Sequence, residues 1–207
     1  LAEDPPAQRE AERRHTAAYA DLIKRCIDVQ AGSSTPEAWA ALGRNSDNLH
    51  VAWARAVSTV DEAALPTLVR GISILYGNRG WHREGAALFA RAAQALQQAG
   101  ASDRVRGLVL GYQVYFLLWS GRATEGAAVL AQSVALLEAS EQTDWYAYIR
   151  SHFGTVALSV GRIAEAQEHY ATAARLTAGS DPYAHQWAAF SEGIVALCSG
   201  DLDTAAR

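Results

Sequence analysis

The chain has 207 residues, half of them apolar, with a formal net charge of −4 and only five prolines. That is material for a sizeable core but no basic footprint, so direct nucleic-acid contact by this segment is not expected. No apolar run approaches the roughly 18 residues of a membrane span. The opening Leu1-Ala2-Glu3-Asp4-Pro5-Pro6 is polar and acidic rather than a secretory leader, so a cytoplasmic protein with no membrane partner is expected.

Abundant alanine and scarce proline favour helix. A first helix is expected from residue 7 to about 30, with an apolar stripe of Ala18, Tyr19, Leu22, Ile23, Cys26 and Ile27. Its other face carries Arg9, Glu10, Glu12, Arg13, Arg14 and Lys24, either as a solvated surface or as one docked on a preceding domain. Ala31-Gly32-Ser33-Ser34 breaks this helix. Thr35-Pro36 then starts a short one ending near Arg44-Asn45, with Thr35 as N-cap. Ser46 or Asp47 is expected to cap a third helix through Val57, with Trp39, Leu42, Leu49 and Trp53 packed together.

From residue 61 the chain repeats. Gly80-Trp81-His82-Arg83-Glu84-Gly85 returns as Gly121-Arg122-Ala123-Thr124-Glu125-Gly126, as Gly161-Arg162-Ile163-Ala164-Glu165-Ala166, and more loosely as Gly200-Asp201-Leu202-Asp203-Thr204-Ala205. The leading glycines are 41, 40 and 39 residues apart, a period that signals stacked supersecondary units. Each phrase follows an apolar stretch and precedes an alanine-rich one, so it is read as the turn of a helix–turn–helix unit. Gly80, Gly121, Gly161 and Gly200 can take the left-handed conformation that closes a helix. Glu84, Glu125 and Glu165 then fall in the first turn of the next helix, where its dipole favours an acid. The small residues Gly85, Gly126, Ala166 and Ala205 permit close helix approach. Phe89, Leu130 and Tyr170, with Ala92, Ser133 and Ala173, fill the packed face.

The helices expected in order are 61 or 66 to 78, 83–98, 103–120 capped by Ser102, 123–139, 144–160 capped by Thr143, 164–178, 182–199 opened by Asp181-Pro182, and a last one beginning at Leu202. No strand is expected. The division is a helical capping region at 1–60 and repeats at about 61–100, 101–140, 141–180 and 181–207. A unit interrupted at Arg207 and the lack of any Met suggest a part of a longer protein.

This pattern resembles the tetratricopeptide repeat, with Gly154 and Gly193 at the motif's small position in the first helix of a unit. It departs from it in its longer period, in lacking the late proline, and in having Ser73 and Val114 at the small position of the first two units. The resemblance implies an all-α, right-handed superhelical solenoid of antiparallel helix pairs with period about 40. Arg13-Arg14-His15-Thr16-Ala17-Ala18-Tyr19, Trp39-Ala40-Ala41-Leu42 and Asp47-Asn48-Leu49-His50-Val51-Ala52-Trp53-Ala54, followed by Arg79-Gly80-Trp81-His82, carry a second likeness. They resemble a segment of bacterial signal-transduction ATPases with numerous domains, which include maltose-regulator-like and antibiotic-regulator-like transcription factors. There the repeat region is a sensor that binds an inducer or partner, or holds the ATPase inactive. This chain has no GxxxxGK[ST], so no P-loop nucleotide site is expected in it.

No chemistry of a catalytic kind is legible. The six histidines show no HExxH or metal spacing, no GxSxG is present, and carboxylates are scattered. The two cysteines, Cys26 and Cys198, fall in apolar helical patterns and read as reduced core thiols. No enzyme activity and no cofactor or metal are expected. Function is sought on the first helix of each unit, whose stacked faces line the concave side of such solenoids. Aligned on the turn glycines, Arg70, Asn78, Tyr115, Trp119, Tyr148, Thr155 and Trp187 are the candidate surface. Two readings stay open for it. In one, these residues pack as core. In the other, Tyr115, Trp119, Tyr148 and Trp187 wall a pocket with Arg70 as anion anchor, for a protein or peptide partner or a small effector. A passive scaffold that self-associates is the alternative function, and an oligomer is compatible with either.

Overall fold

In a computed structural model the backbone is described at residues 5–30, 36–139, 143–178 and 182–205, and side chains at 6–26, 40–138, 149–176, 178 and 189–203. Among these residues all regular structure is helical. The elements are α1 (Pro5–Gln30), α2 (Pro36–Arg44), α3 (Ser46–Ser58), α4 (Leu65–Asn78), α5 (His82–Gln98), α6 (Asp103–Trp119), α7 (Ala123–Ala139), α8 (Thr143–Ser159), α9 (Ile163–Thr177), α10 (Pro182–Ser199) and α11 (Leu202–Ala205). No helix is long and apolar enough to cross a membrane among the described residues.

The glycine phrases close their helices in one repeated way. At Gly80, Gly121, Gly161 and Gly200 φ is +67, +78, +78 and +80°. Each glycine N–H bonds the carbonyl three residues back, and the next N–H bonds the carbonyl five back, as in Trp81 to Tyr76 and Arg122 to Leu117. That is the Schellman closure, which satisfies helix-end carbonyls and reverses the chain. The same closure also occurs at Gly100, with φ +71°, and at Val60, with φ +51°. Turns therefore fall about every half-repeat, and one of them is made by a β-branched residue in a region that costs it roughly 1–2 kcal/mol.

The helix starts match expectation at α6 but not at α3. Ser102 does cap α6, its Oγ accepting from the Val105 N–H at 3.4 Å. The N-cap of α3, however, is Asn45, not Ser46 or Asp47, and its side chain donates back to the Ala41 carbonyl at 2.8 Å instead of capping. Thr143 is the first residue of α8, and its side chain lies outside the described residues. Thr35 and Asp181 lie outside the described residues. Before α4, Asp61 Oδ1 accepts from the Ala64 N–H at 3.0 Å and holds the turn that places Pro66 just inside the helix.

The chain divides into two compact units. The first comprises residues 1–81 and 94–101. Its core is Ile23, Leu42, Leu49, Trp53, Leu65, Leu68 and Ile72, all buried. The Trp39 side chain lies outside the described residues. The buried stripe of α1 is Thr16, Ala20, Ile23 and Cys26, whereas Ala18 is exposed. The stripe runs along i, i+4, i+7 from a threonine whose hydroxyl satisfies the Glu12 carbonyl at 3.2 Å, so a polar residue enters the apolar seam. Ile23 packs onto the bare Cα of Gly71 on α4.

Arg55 of α3 pairs with Glu12 of α1 at 3.0 Å and also donates to the Glu12 carbonyl. His15 Nε2 meets Asn48 Oδ1 at 3.4 Å. His50 Nδ1 donates to the Ser46 carbonyl at 2.7 Å, which leaves Nε2 to accept from the Tyr76 hydroxyl at 2.8 Å. Arg79 reaches the Gly43 carbonyl at 3.2 Å while lying 4.7 Å over the Trp81 ring. The first glycine phrase is thus a strut to α2 as well as a turn.

The second unit comprises residues 82–93 and 102–207. Its axis is α6, buried on nearly every side through Val105, Leu108, Val109, Tyr112, Val114, Phe116 and Leu117. Large side chains seat on small ones at each helix crossing. Phe116 covers Gly85, Leu137 covers Gly107, Ile149 covers Gly111, and Tyr170 covers Gly154. Gly85 thus admits α6 of the following repeat, while Gly126 lies against Leu118 of its own hairpin. Ser133 is fully buried and donates to the Gly107 carbonyl at 2.7 Å. Phe89, Leu130, Tyr170, Ala92 and Ala173 are buried at the packed face.

Glu84, Glu125 and Glu165 all lie in first helical turns. Glu125 and Glu165 also pair with the arginines after the turn glycines, Arg122 at 2.6 Å and Arg162 at 3.3 Å.

Candidate functional site

The α6 helix is buried along most of its length, and its exposed apolar surface lies in its last turn. Tyr115 and Leu118 are half-buried there, and Trp119 keeps 51% of its surface exposed. The α6 helix must end at this point because Gly121 turns the chain, so Trp119 stands at the rim of the second unit and not in its core. Phe116, one position on from Tyr115, points inward and is fully buried.

Four rings converge on that turn. Tyr115 and Trp119, one helical turn apart, have centroids 6.2 Å apart at 50°. His82, the first residue of α5, stacks near-parallel to Trp119 at 6.0 Å and meets Tyr115 edge-on at 6.1 Å. From α8, His152 comes within 6.3 Å of the Tyr115 ring. His152 is itself fully enclosed, and burial pushes its pKa down to about 3, so it is a neutral ring under the shelf. His82 Nδ1 is buried and makes no hydrogen bond among the described residues. The result is an aromatic shelf with one exposed indole face, a phenol edge, and a polar ring atom without a partner.

The expected surface residues are distributed as follows. Tyr115 and Trp119 come together on the shelf. Arg70 is half-buried and Asn78 exposed on α4 of the first unit. Thr155 is half-buried on α8, and its hydroxyl is already engaged. It donates to the Ser151 carbonyl at 3.1 Å and accepts from Tyr170 Oη at 2.9 Å. The side chains of Tyr148 and Trp187 lie outside the described residues.

Leu108 and Gly111 on α6, Ser151 on α8 and Ile74 on α4 are buried, so the interior takes much of these three helices. Histidines 82 and 152 were not legible as site residues, because alignment on the turn glycines does not connect the first residue of α5 with the last turn of α6.

A second polar cluster lies between α8 and α9, where Arg150 Nη1 meets His169 Nδ1 at 3.4 Å and Glu165 approaches the other ring nitrogen at 3.8 Å. Burial, then the Arg150 charge, lowers the His169 pKa. Among the described residues no three His, Cys, Asp or Glu side chains stand together as a metal site. Both thiols are free, Cys26 buried and Cys198 exposed, so the latter is not a core residue. No known protein-family model matches the chain, and a search of curated proteins finds no match.

Proposed function

We propose that this chain is a non-catalytic interaction or effector-sensing module, built as a tetratricopeptide-like solenoid, that regulates an adjoining NTPase or transcription output in a larger regulator. The single observation that carries the binding role is the shelf of Trp119, Tyr115 and His82. The half-exposed Trp119 indole beside the Tyr115 and His82 rings is an aromatic-lined surface of the kind ligand sites use. Its chemistry suits a flat apolar or aromatic group that stacks on the Trp119 indole. Such a group belongs equally to an aromatic peptide side chain or to a small planar effector.

The regulatory role is supported by the resemblance of segments 13–19 and 47–54 to the sensor region of signal-transduction ATPases. Those segments touch here through the His15–Asn48 contact.

Titration calorimetry of the chain against aromatic peptides and small planar effectors tests the binding role. Saturable binding that Trp119→Ala abolishes and a surface control such as Val51→Ala preserves is the expected result. Absence of saturable binding across both panels, or binding indifferent to Trp119→Ala, overturns it.

A further inference from the structure

The helices of the first unit contribute unequally to its core. Leu42, Leu49, Trp53, Leu65, Leu68 and Ile72 come from α2, α3 and α4. The α1 helix runs for 26 residues, yet among its described side chains only Thr16, Ala20, Ile23 and Cys26 are buried. Of these four only Ile23 is large, and its seat is the bare Cα of Gly71 on α4.

The ion pairs and hydrogen bonds of α1 fall into two sets. Glu10 pairs with Arg13 and Arg14, and Asp21 with Lys24, within the helix itself. Pairs at i, i+3 and i, i+4 support a helix whether or not it is docked. Across to α3 run the half-buried Glu12–Arg55 pair at 3.0 Å, the Arg55 hydrogen bond to the Glu12 carbonyl, and the His15–Asn48 contact at 3.4 Å. This latch sits at one end of the buried seam, and Cys26 lies at the other. A helix that buries few large side chains opens below the free energy of global unfolding.

We propose that α1 is a releasable strap, which detaches from α3 and α4 as one helix while α2, α3 and α4 keep their core. Its release uncovers the Gly71 seat together with Arg55 and Asn48, so the docking of α1 gates access to that face of the unit.

Cys26 reports the event. It is a buried free thiol fourteen residues past Glu12, about 21 Å along a helix. A change at Glu12 reaches it only if α1 moves as a unit. In the Cys198→Ser chain, which leaves Cys26 as the single thiol, labelling by dithionitrobenzoate is followed in urea below the unfolding transition. Amide hydrogen exchange of α1 and α4 is read on the same chain. Labelling is expected to outpace global unfolding, with a shallower urea dependence, while α4 amides stay protected. Glu12→Ala is expected to speed it about tenfold, and Ile23→Ala about a hundredfold.

Labelling with the urea dependence of global unfolding overturns the proposal, because α1 then leaves only when the whole core does. Exchange of α4 amides in step with those of α1 overturns it on the same ground. Shallow labelling indifferent to Glu12→Ala overturns it too, since the opening is then fraying confined to the Cys26 end.

Discussion

Tyr170 lies across the bare Cα of Gly154: a methyl group there would stand 2.7 Å from the ring. The ring cannot retreat freely, since it is buried and its hydroxyl is held by Thr155 at 2.9 Å. Gly154→Ala therefore sets two effects against each other. Helix propensity gains about 1 kcal/mol, and overpacking costs about 1–3 kcal/mol. Overpacking wins where the neighbour is a pinned aromatic, so a net loss of about 1 kcal/mol is expected in urea unfolding. Gly126 is the control. Its methyl would meet the flexible tip of Leu118 at 3.3 Å and the Leu117 Cβ in ordinary contact at 3.6 Å, so Gly126→Ala should be neutral or slightly stabilising.

Turn positions test the backbone rather than the packing. At Gly121 nothing lies within 4 Å of an added Cβ, yet φ is +78°. Gly121→Ala should still cost about 1 kcal/mol, a penalty from the dihedral alone. Val60 holds the same kind of turn at φ +51° with a β-branched side chain. Val60→Asn, which tolerates this region, should raise stability by up to about 1 kcal/mol. A thermal unfolding series reads both, and equal midpoints for all three chains would refute the strain argument.

These turns also show what a sequence reveals. The four glycine phrases were legible because glycine, acid and small residue recur at one spacing. Gly100 was hidden because the period was read at full rather than half length. Val60 was hidden because nothing in a valine signals a left-handed turn; its conformation is imposed by the buried residues on either side, Val57 and Ala64. The α1 stripe was misplaced at Ala18 because Thr16 is polar in composition but apolar in effect once its hydroxyl bonds Glu12. At the shelf, Tyr115 and Trp119 share a helix and could be found by spacing. His82 arrives from the preceding hairpin, which only the packing of Phe116 on Gly85 brings near.

Acid should weaken the second unit through its histidines. Burial lowers the His152 pKa to about 3 and, with Arg150, lowers that of His169. A depressed folded-state pKa means the unfolded chain takes up protons first. The stabilising contribution is thus complete above the ordinary value of 6.5 and is lost as pH falls below it. His152 should contribute a slope approaching about 1.4 kcal/mol per pH unit within its window, with a smaller contribution of the same sign from His169. Guanidinium midpoints between pH 7.5 and 4.5 should fall accordingly. In His152→Gln, which cannot protonate, the slope should be shallower by about one proton. An unchanged slope would show that His152 is already accommodated as a cation.

Trp119 separates a binding surface from a structural one. Half of the indole is in water, so Trp119→Ala forfeits limited burial and should change unfolding free energy by no more than about 1 kcal/mol. Phe116, three positions earlier and fully buried over Gly85, should cost about 3–5 kcal/mol when truncated to alanine. If the two variants proved equally destabilised, Trp119 would be a core residue and the shelf an outer layer of the fold. If Trp119→Ala leaves stability near wild type while removing saturable binding of aromatic ligands, the exposed indole is a recognition element. Denaturation and calorimetry on the same two variants distinguish these outcomes, because stability and affinity then respond to different rings of one cluster.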